Sequence, residues 1–312
     1  MSFLYYVLMN YFYLSFLLVI STLLYANEPI LPLPQKISLN PDKVALGKDL
    51  FFDTALSKDN TISCATCHNI ADGGDDGLIH SFGILGKEGN INSPTVLNAV
   101  FNFRQFWDGR AKDLQDQAQG PIQNPVEMGY NFPDLIKRLQ TTPYKKRFKQ
   151  IYPDGITKEN ITDAIAEYEK TLITPSPFDR YLRGEKNAIS KEAQEGYEIF
   201  KTKGCIACHQ GINIGGNMYN RFGIYQDSNS SDLGLYKRTH KLRDKYFFKV
   251  PTLRNVALTA PYFHDGRTSS LRVAIYKMAQ YQLGRKITPD EVKKIEAFLH
   301  SLTGSVPKEA LQ

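Results

Sequence analysis

The sequence is sparing with the residues that carry metal and redox chemistry. Its 312 residues include four cysteines, six histidines, five methionines and a single tryptophan. Four cysteines are too few for a disulfide-stapled scaffold, and a chain of this length has no need of one. Low-complexity and strongly charged tracts are missing too. With 22% charged residues, 42% hydrophobic residues and a net charge of +6, the composition is that of a folded globular protein rather than a disordered one. The basic excess is spread along the chain. Its densest clusters, Lys145-Lys146-Arg147 and the stretch 237–249, do not form a nucleic-acid arm; they read as a solvated face that can steer an acidic redox partner. Residues 1–26 contain no Asp, Glu, Lys or Arg and are dominated by Phe, Leu, Tyr, Val and Ile. They read as a cleaved export signal or a retained N-terminal anchor, and either role places the remainder outside the cytoplasm.

All four cysteines fall in two copies of one pattern, Cys64-Ala65-Thr66-Cys67-His68 and Cys205-Ile206-Ala207-Cys208-His209. The spacing C-x-x-C-H is that of covalent haem attachment. Two thiols bond the two vinyl groups of one porphyrin, and the adjoining imidazole reaches the iron from one side. A four-cysteine zinc site leaves the paired histidines unexplained. A thioredoxin-like redox pair needs a βαβ setting, which the pattern here does not offer. Two covalently bound haems of the c type are therefore expected.

Aligning the motifs exposes a duplication. Gly47-Lys48-Asp49-Leu50-Phe51-Phe52 precedes the first, and Gly196-Tyr197-Glu198-Ile199-Phe200-Lys201 the second. Residues 94–110 and 251–267 align without a gap, sharing Pro, Thr, Asn, Phe and Asp-Gly-Arg. Thr157 and Thr288 are N-cap candidates that open two closing helices. The expected fold is mainly α: two cytochrome c-like haem domains arising from internal duplication, with long loops. The division falls at 27–180 and 181–312, with a Pro-rich and polar linker from Pro175-Ser176-Pro177 to about Lys191.

Function follows from where the halves differ. Eleven residues after Arg267 stands Met278, whose thioether can close the second haem iron. Met218 is the other candidate. Eleven residues after Arg110 stands Pro121, which has no atom able to bind iron. One iron is thus expected to keep an open face. Near Pro121 lie Gln117, an amide that can hold a peroxide, and Glu127, a carboxylate that can move a proton between its oxygens. Trp107 occupies the repeat position of His264 and reads either as core packing or as an electron bridge between haems. His240 and His300 carry no motif, and His264 reads as structural. Arg110 and Arg267 read as propionate partners or as loop-stabilising salt bridges.

Together these residues resemble the bacterial di-haem cytochrome c peroxidases, over nearly all the chain from about Leu39 to Leu302. The resemblance implies that the His68 haem is the low-potential peroxidatic one and the His209–Met278 haem the high-potential electron-transfer one. It implies Glu127 as acid/base, Gln117 as peroxide-positioning group and Trp107 as the inter-haem residue. It further implies a calcium ion on the Asn92 side chain and the carbonyls of Thr259 and Pro261, a homodimer, hydrogen peroxide as substrate, and a small periplasmic donor, either a monohaem cytochrome c or a cupredoxin. The sequence departs from the family at one point. Where many members have a loop histidine that binds the peroxidatic iron at rest, this chain has Ile84, with His80 four residues earlier. Two rivals remain on sequence grounds. One is a non-enzymatic di-haem carrier. The other is the relative that matures tryptophan tryptophylquinone, in which a tyrosine replaces the axial methionine; Tyr276 and Tyr281 flank Met278 here.

Overall fold

A computed structural model describes residues 28–311. The segment read as signal or anchor, 1–26, lies outside them. Among the described residues no helix is long and apolar enough to cross a membrane.

The architecture is mainly helical. Helices α1 (Pro41–Phe52), α2 (Cys64–Cys67), α3 (Leu114–Gln123), α4 (Phe132–Gln140), α5 (Tyr144–Ile151) and α6 (Lys158–Glu169) form the first half. Helices α7 (Pro177–Leu182), α8 (Lys191–Lys203), α9 (Tyr236–Thr239), α10 (Leu271–Met278) and α11 (Pro289–His300) follow, with α12 (Lys308–Leu311) at the end. Strands β1 (Tyr219–Arg221) and β2 (Phe247–Lys249) pair as a short antiparallel ribbon.

Each half is organised by one crossing of two helices. A Cβ on Gly47 of α1 would overlap the backbone carbonyl of Ala164 in α6, and one on Gly196 of α8 would overlap that of Lys294 in α11. Only glycine lets these backbones approach so closely. Beside each crossing an aromatic pair locks the angle: Phe51 on Tyr168 at 5.2 Å and Phe200 on Phe298 at 5.1 Å between ring centroids. The closing helices start at the expected caps. Thr157 accepts from the Asn160 N–H, and Thr288 forms a reciprocal box with Glu291.

The Asp-Gly-Arg segments also match. Asn98 and Asn255 both adopt φ 60°, ψ 12°, and their backbone N–H groups reach the carbonyls of Leu172 and Leu302, the ends of the two closing segments. Both side-chain amides donate to one buried acceptor, the Thr174 hydroxyl, at 2.7 Å each, so the two halves share a central polar pin. Asn92 N–H donates to the His264 carbonyl at 2.9 Å, while Lys249 N–H donates to the Trp107 carbonyl at 2.8 Å.

Two features differ from the sequence reading. The expected linker contains a short helix and is anchored in the core. Pro177 occupies the first turn of α7, Ser176 and Asp179 form a capping box, and Phe178 is fully buried against Tyr181, Tyr197 and Phe298. Asp179 and Arg254, both 0% exposed, form an ion pair at 3.0 Å. The ends of the described chain are also exchanged. Ile30 packs in the core of the second half, while Ala310 packs in that of the first and its carbonyl receives the Tyr168 hydroxyl.

Candidate haem sites

The first attachment motif forms the single turn α2, capped reciprocally by Ser63 and Thr66. His68 ends it. Its Nδ1 lies 3.1 Å from the Gly74 carbonyl, which fixes the ring and leaves Nε2 to face an iron. Burial holds His68 below the usual imidazole range, so the ring is neutral, as a ligand must be. His209 is arranged alike. Its Nδ1 lies 3.4 Å from the Ile214 carbonyl, and burial takes its pKa down to about 4. No disulfide joins the four cysteines, and burial pushes the thiols of Cys67 and Cys205 each up to about 11.

Beside His68 opens a cavity of about 560 Å³. Its walls are mostly apolar, with Ile62, Val96, Leu114, Ile122 and Ile165 among them, and both Cys64 and Cys67 border it. An apolar slot with two thiols at its edge and an oriented imidazole fits a covalently held haem.

The cavity brings together the residues expected around the open iron. Leu114, Gln117, Ala118 and Pro121 line it from positions i, i+3, i+4 and i+7 of α3, which is one helical face. Asp113 caps that helix by accepting from the Asp116 N–H at 2.8 Å. Glu127 lines the cavity from the loop that follows α3. Asn124 donates to its Oε1 at 2.6 Å. Burial pushes the Glu127 carboxyl above the usual carboxylate range, opposed by that hydrogen bond and by the charge of Arg110. Trp107 borders the cavity too. Its Nε1 donates to the Asn92 carbonyl at 2.9 Å, and its ring meets His264 edge-on at 6.2 Å, so the indole bridges the two halves.

The counterpart of α3 is α10. Both begin on a leucine, Leu114 and Leu271, and Pro121 and Met278 are each the eighth residue. Met278 is half-buried, and a π turn follows it over Ala279–Leu283. The Tyr281 carbonyl there accepts from Tyr225 N–H, and Gln282 donates to the Arg221 carbonyl. Met218 lies at the base of β1, where its carbonyl receives Val250 N–H. In the same ribbon Asn220 reaches Cys208 Sγ at 3.0 Å.

His80 does not border the cavity; its Nδ1 lies 3.0 Å from Glu88. Ile84 is buried, and its N–H donates to the Glu127 carbonyl at 2.8 Å, which ties this loop to the catalytic candidate. His264 is a core residue stacked on Phe248 at 4.2 Å and bonded to Ser230 at 2.8 Å. Arg110 pairs with Asp108 at 3.0 Å and lies over the Phe106 ring, and Arg267 pairs with Asp265. His240 and His300 are exposed. Asn92 donates from Nδ2 to the Leu78 carbonyl at 2.8 Å. Its Oδ1 and the carbonyls of Thr259 and Pro261 accept no hydrogen bond among the described residues. These are the free oxygen donors that a hard cation requires. Among the described residues no three His, Cys, Asp or Glu side chains group as a metal site.

One cavity residue escaped the sequence reading. Glu169, at the end of α6, is 5% exposed and lines the cavity. The signal was present: aligned on Leu172 and Leu302, the repeat sets Glu169 against Leu299, an acid against a buried leucine.

Comparison with known proteins agrees with this geometry. Residues 41–187 match the family described as di-haem cytochrome c peroxidase, and residues 193–303 match cytochrome c. The cytochrome c peroxidase Ccp of Escherichia coli (strain K12) is 50% identical over 286 residues, which cover 89% of this chain and 62% of that longer protein. The cytochrome c551 peroxidase of Nitrosomonas europaea is 47% identical over 287 residues, covering 90% of this chain and 86% of the relative. A crystal structure of a MauG-like protein associated with microbial copper homeostasis superposes with a TM-score of 0.79 at 24% identity, covering 92% of this chain and 98% of that one, which shows a shared fold. Built from a doubled haem module and matched along both halves, the chain belongs to the di-haem cytochrome c peroxidase family.

Proposed function

We propose that this protein reduces hydrogen peroxide to water at the haem held by Cys64, Cys67 and His68. Electrons enter through the haem held by Cys205, Cys208, His209 and Met278. The observation that carries the reading is the cavity beside His68, where Gln117, Glu127 and Trp107 converge and where α3 presents Pro121 in place of a ligand.

When bound, the first haem would be held by Cys64, Cys67 and His68 and the second by Cys205, Cys208, His209 and Met278, and together they would supply the iron redox chemistry that reduces peroxide. The rest is work for the side chains. Gln117 donates its amide to a peroxide oxygen and orients it. Glu127 accepts a proton from one peroxide oxygen and returns it to the other, so that water rather than hydroxide departs. Asn124 holds that carboxyl in place from one oxygen, leaving the other free. Trp107, in contact with both halves, carries the electron path between them. Two electrons and two protons balance the conversion of one peroxide to two waters.

Ile84 and the His80–Glu88 pair support an iron that is open at rest, because neither residue offers a free imidazole to the cavity. Electron paramagnetic resonance of the oxidised protein is expected to show a high-spin ferric signal from the first haem. A purely low-spin bis-histidine signal there rules the open site out. The finer assignments belong to the same proposal: domains divided in chain order as 27–180 and 181–312, with Ile30, Phe178 and Ala310 packing across the division; calcium at Asn92, Thr259 and Pro261; a monohaem cytochrome c or cupredoxin as donor; a homodimer; and a periplasmic location delivered by residues 1–26. Rapid mixing of the half-reduced protein with peroxide tests the core of it. Spectral change at the His68 haem accompanied by oxidation of the His209 haem is expected, and no reaction on the seconds timescale defeats the proposal in favour of a plain electron carrier.

A further inference from the structure

The two closing helices are built alike, which makes their one chemical difference at the haem informative. Helix α6 crosses α1 at Gly47, and helix α11 crosses α8 at Gly196. The aromatic pairs Phe51–Tyr168 and Phe200–Phe298 occupy the same places. Leu172 and Leu302 accept from Asn98 and Asn255 in the same way. This register leaves no freedom at the next residue: Glu169 follows Tyr168 as Leu299 follows Phe298. Leu299 is 4% exposed and Glu169 is 5% exposed. The second half thus closes with an apolar side chain where the first half closes with a carboxyl facing the haem cavity.

The carboxyl stands without a partner among the described residues. No hydrogen bond or ion pair engages it among the described residues, although buried acids are ordinarily paired. Desolvation alone raises its pKa to about 8. The titratable and charged groups around it are few. From the attachment turn come Cys64, Cys67 and His68; elsewhere around the cavity come Glu88, Glu127 and Arg110. On its own helix lies Tyr168, whose hydroxyl is taken up by the Ala310 carbonyl. Of these, Cys64 and Tyr168 feel its charge, and both cease to compete for a proton once the thiol is a thioether and the phenol stays neutral.

We propose that Glu169 couples a proton to the reduction of the first haem: its carboxylate stabilises the ferric form, and one-electron reduction of the iron draws one proton from solvent onto the carboxyl. The physical reason is local charge. A ferric haem carries one more positive charge than a ferrous one, and a buried carboxylate feels that charge with less screening than one in water. Its pKa is therefore lower beside the oxidised haem than beside the reduced one, and between those two values the midpoint falls as pH rises. Leu299 gives the second haem no such coupling. The acid thereby holds the two haems apart in potential in the direction that peroxide reduction needs, low at the peroxidatic iron and high at the donor-facing one. The inference rests on the haem assignment made above.

The test is optical redox titration of the full-length, haem-loaded protein from pH 6 to 9, reading each haem separately. In the wild type the midpoint of the first haem is expected to fall by up to a factor of ten in reduction equilibrium per pH unit, which is 59 mV for a one-electron couple. The second haem should stay flat over the same window. Glu169→Gln and Glu169→Leu should both abolish that slope and hold the first haem at the acid plateau of the wild type. The reciprocal Leu299→Glu should introduce a slope at the second haem. An unchanged slope in the Glu169 variants, or a shift equal at every pH, overturns the coupling. Haem content measured on the same samples separates the two readings. Absence of a haem thioether-bonded at Cys64 and Cys67 would sink the functional reading as a whole, whereas two attached haems with an unaltered slope sink this inference alone.

Discussion

Replacing Glu127 by glutamine keeps the shape of the side chain and removes its proton chemistry. The amide oxygen can still accept from Asn124, which donates to Oε1 at 2.6 Å in the wild type, so the loop around residues 124–129 is expected to keep its fold. The Glu127 carbonyl continues to accept from Ile84, because that bond involves only backbone. What disappears is the group that takes the proton from one peroxide oxygen and delivers it to the other. Positioned acid–base groups contribute roughly 10²–10⁴ in rate. At about 1.4 kcal/mol per decade the barrier should rise by about 3–5 kcal/mol. The assay is steady-state peroxide consumption with a reduced monohaem cytochrome, together with the rate of the first spectral change after peroxide is mixed with the enzyme. Both should fall by the same factor while the haem spectra, haem content and melting temperature stay put. The direction of the pH dependence follows from the carboxyl's burial. Its pKa is raised, and the carboxylate is the form that accepts the proton, so wild-type activity should drop as pH falls through that raised value. In the glutamine variant this acid limb should be gone. A variant with activity within tenfold of wild type, or with the acid limb intact, refutes the role of Glu127 as the acid/base.

Other perturbations separate the parts of the molecule. Met278→His should lower the midpoint of the second haem, since a thioether ligand holds it high, and slow turnover with donor while leaving peroxide binding at the first haem unchanged; an unaltered midpoint would remove Met278 as the ligand. Gly47→Ala and Gly196→Ala should each cost about 2 kcal/mol or more by denaturant melting, because the added methyl meets a backbone carbonyl that cannot move aside; wild-type stability in either would contradict the crossing. Arg254→Met should destabilise by about 3–5 kcal/mol by leaving the buried Asp179 carboxylate without its counter-charge. The double variant Arg254→Met with Asp179→Asn should recover part of that loss, and strictly additive losses would argue against the pair.

Much of the site was legible in the sequence because haem attachment is local chemistry. Two thiols and an imidazole must be close along the chain to reach one porphyrin, so Cys64 to His68 and Cys205 to His209 announce themselves. The repeat then made comparison possible, and the contrast of Pro121 with Met278 needed only a count of residues. The structure starts α3 and α10 on matching leucines, which supports that count. The helix within Pro175 to Lys191 was not legible, because proline and polar residues mark both linkers and helix starts. Its use as the first turn of α7 depended on Phe178 finding a core and Asp179 finding Arg254, partners far along the chain.

The sequence by itself determined the cofactor, the doubling and the candidate chemistry, since each is written in short motifs whose spacing is set by covalent and coordination geometry. Tertiary structure alone decided what gathers around the first haem and how the halves are joined. The free carboxyl of Glu169, the indole of Trp107 against His264, the Thr174 hydroxyl shared by Asn98 and Asn255, and the exchange of Ile30 and Ala310 between cores all link residues distant in sequence. Such contacts depend on the packing of whole helices, and no local pattern encodes which buried acid will be left without a partner.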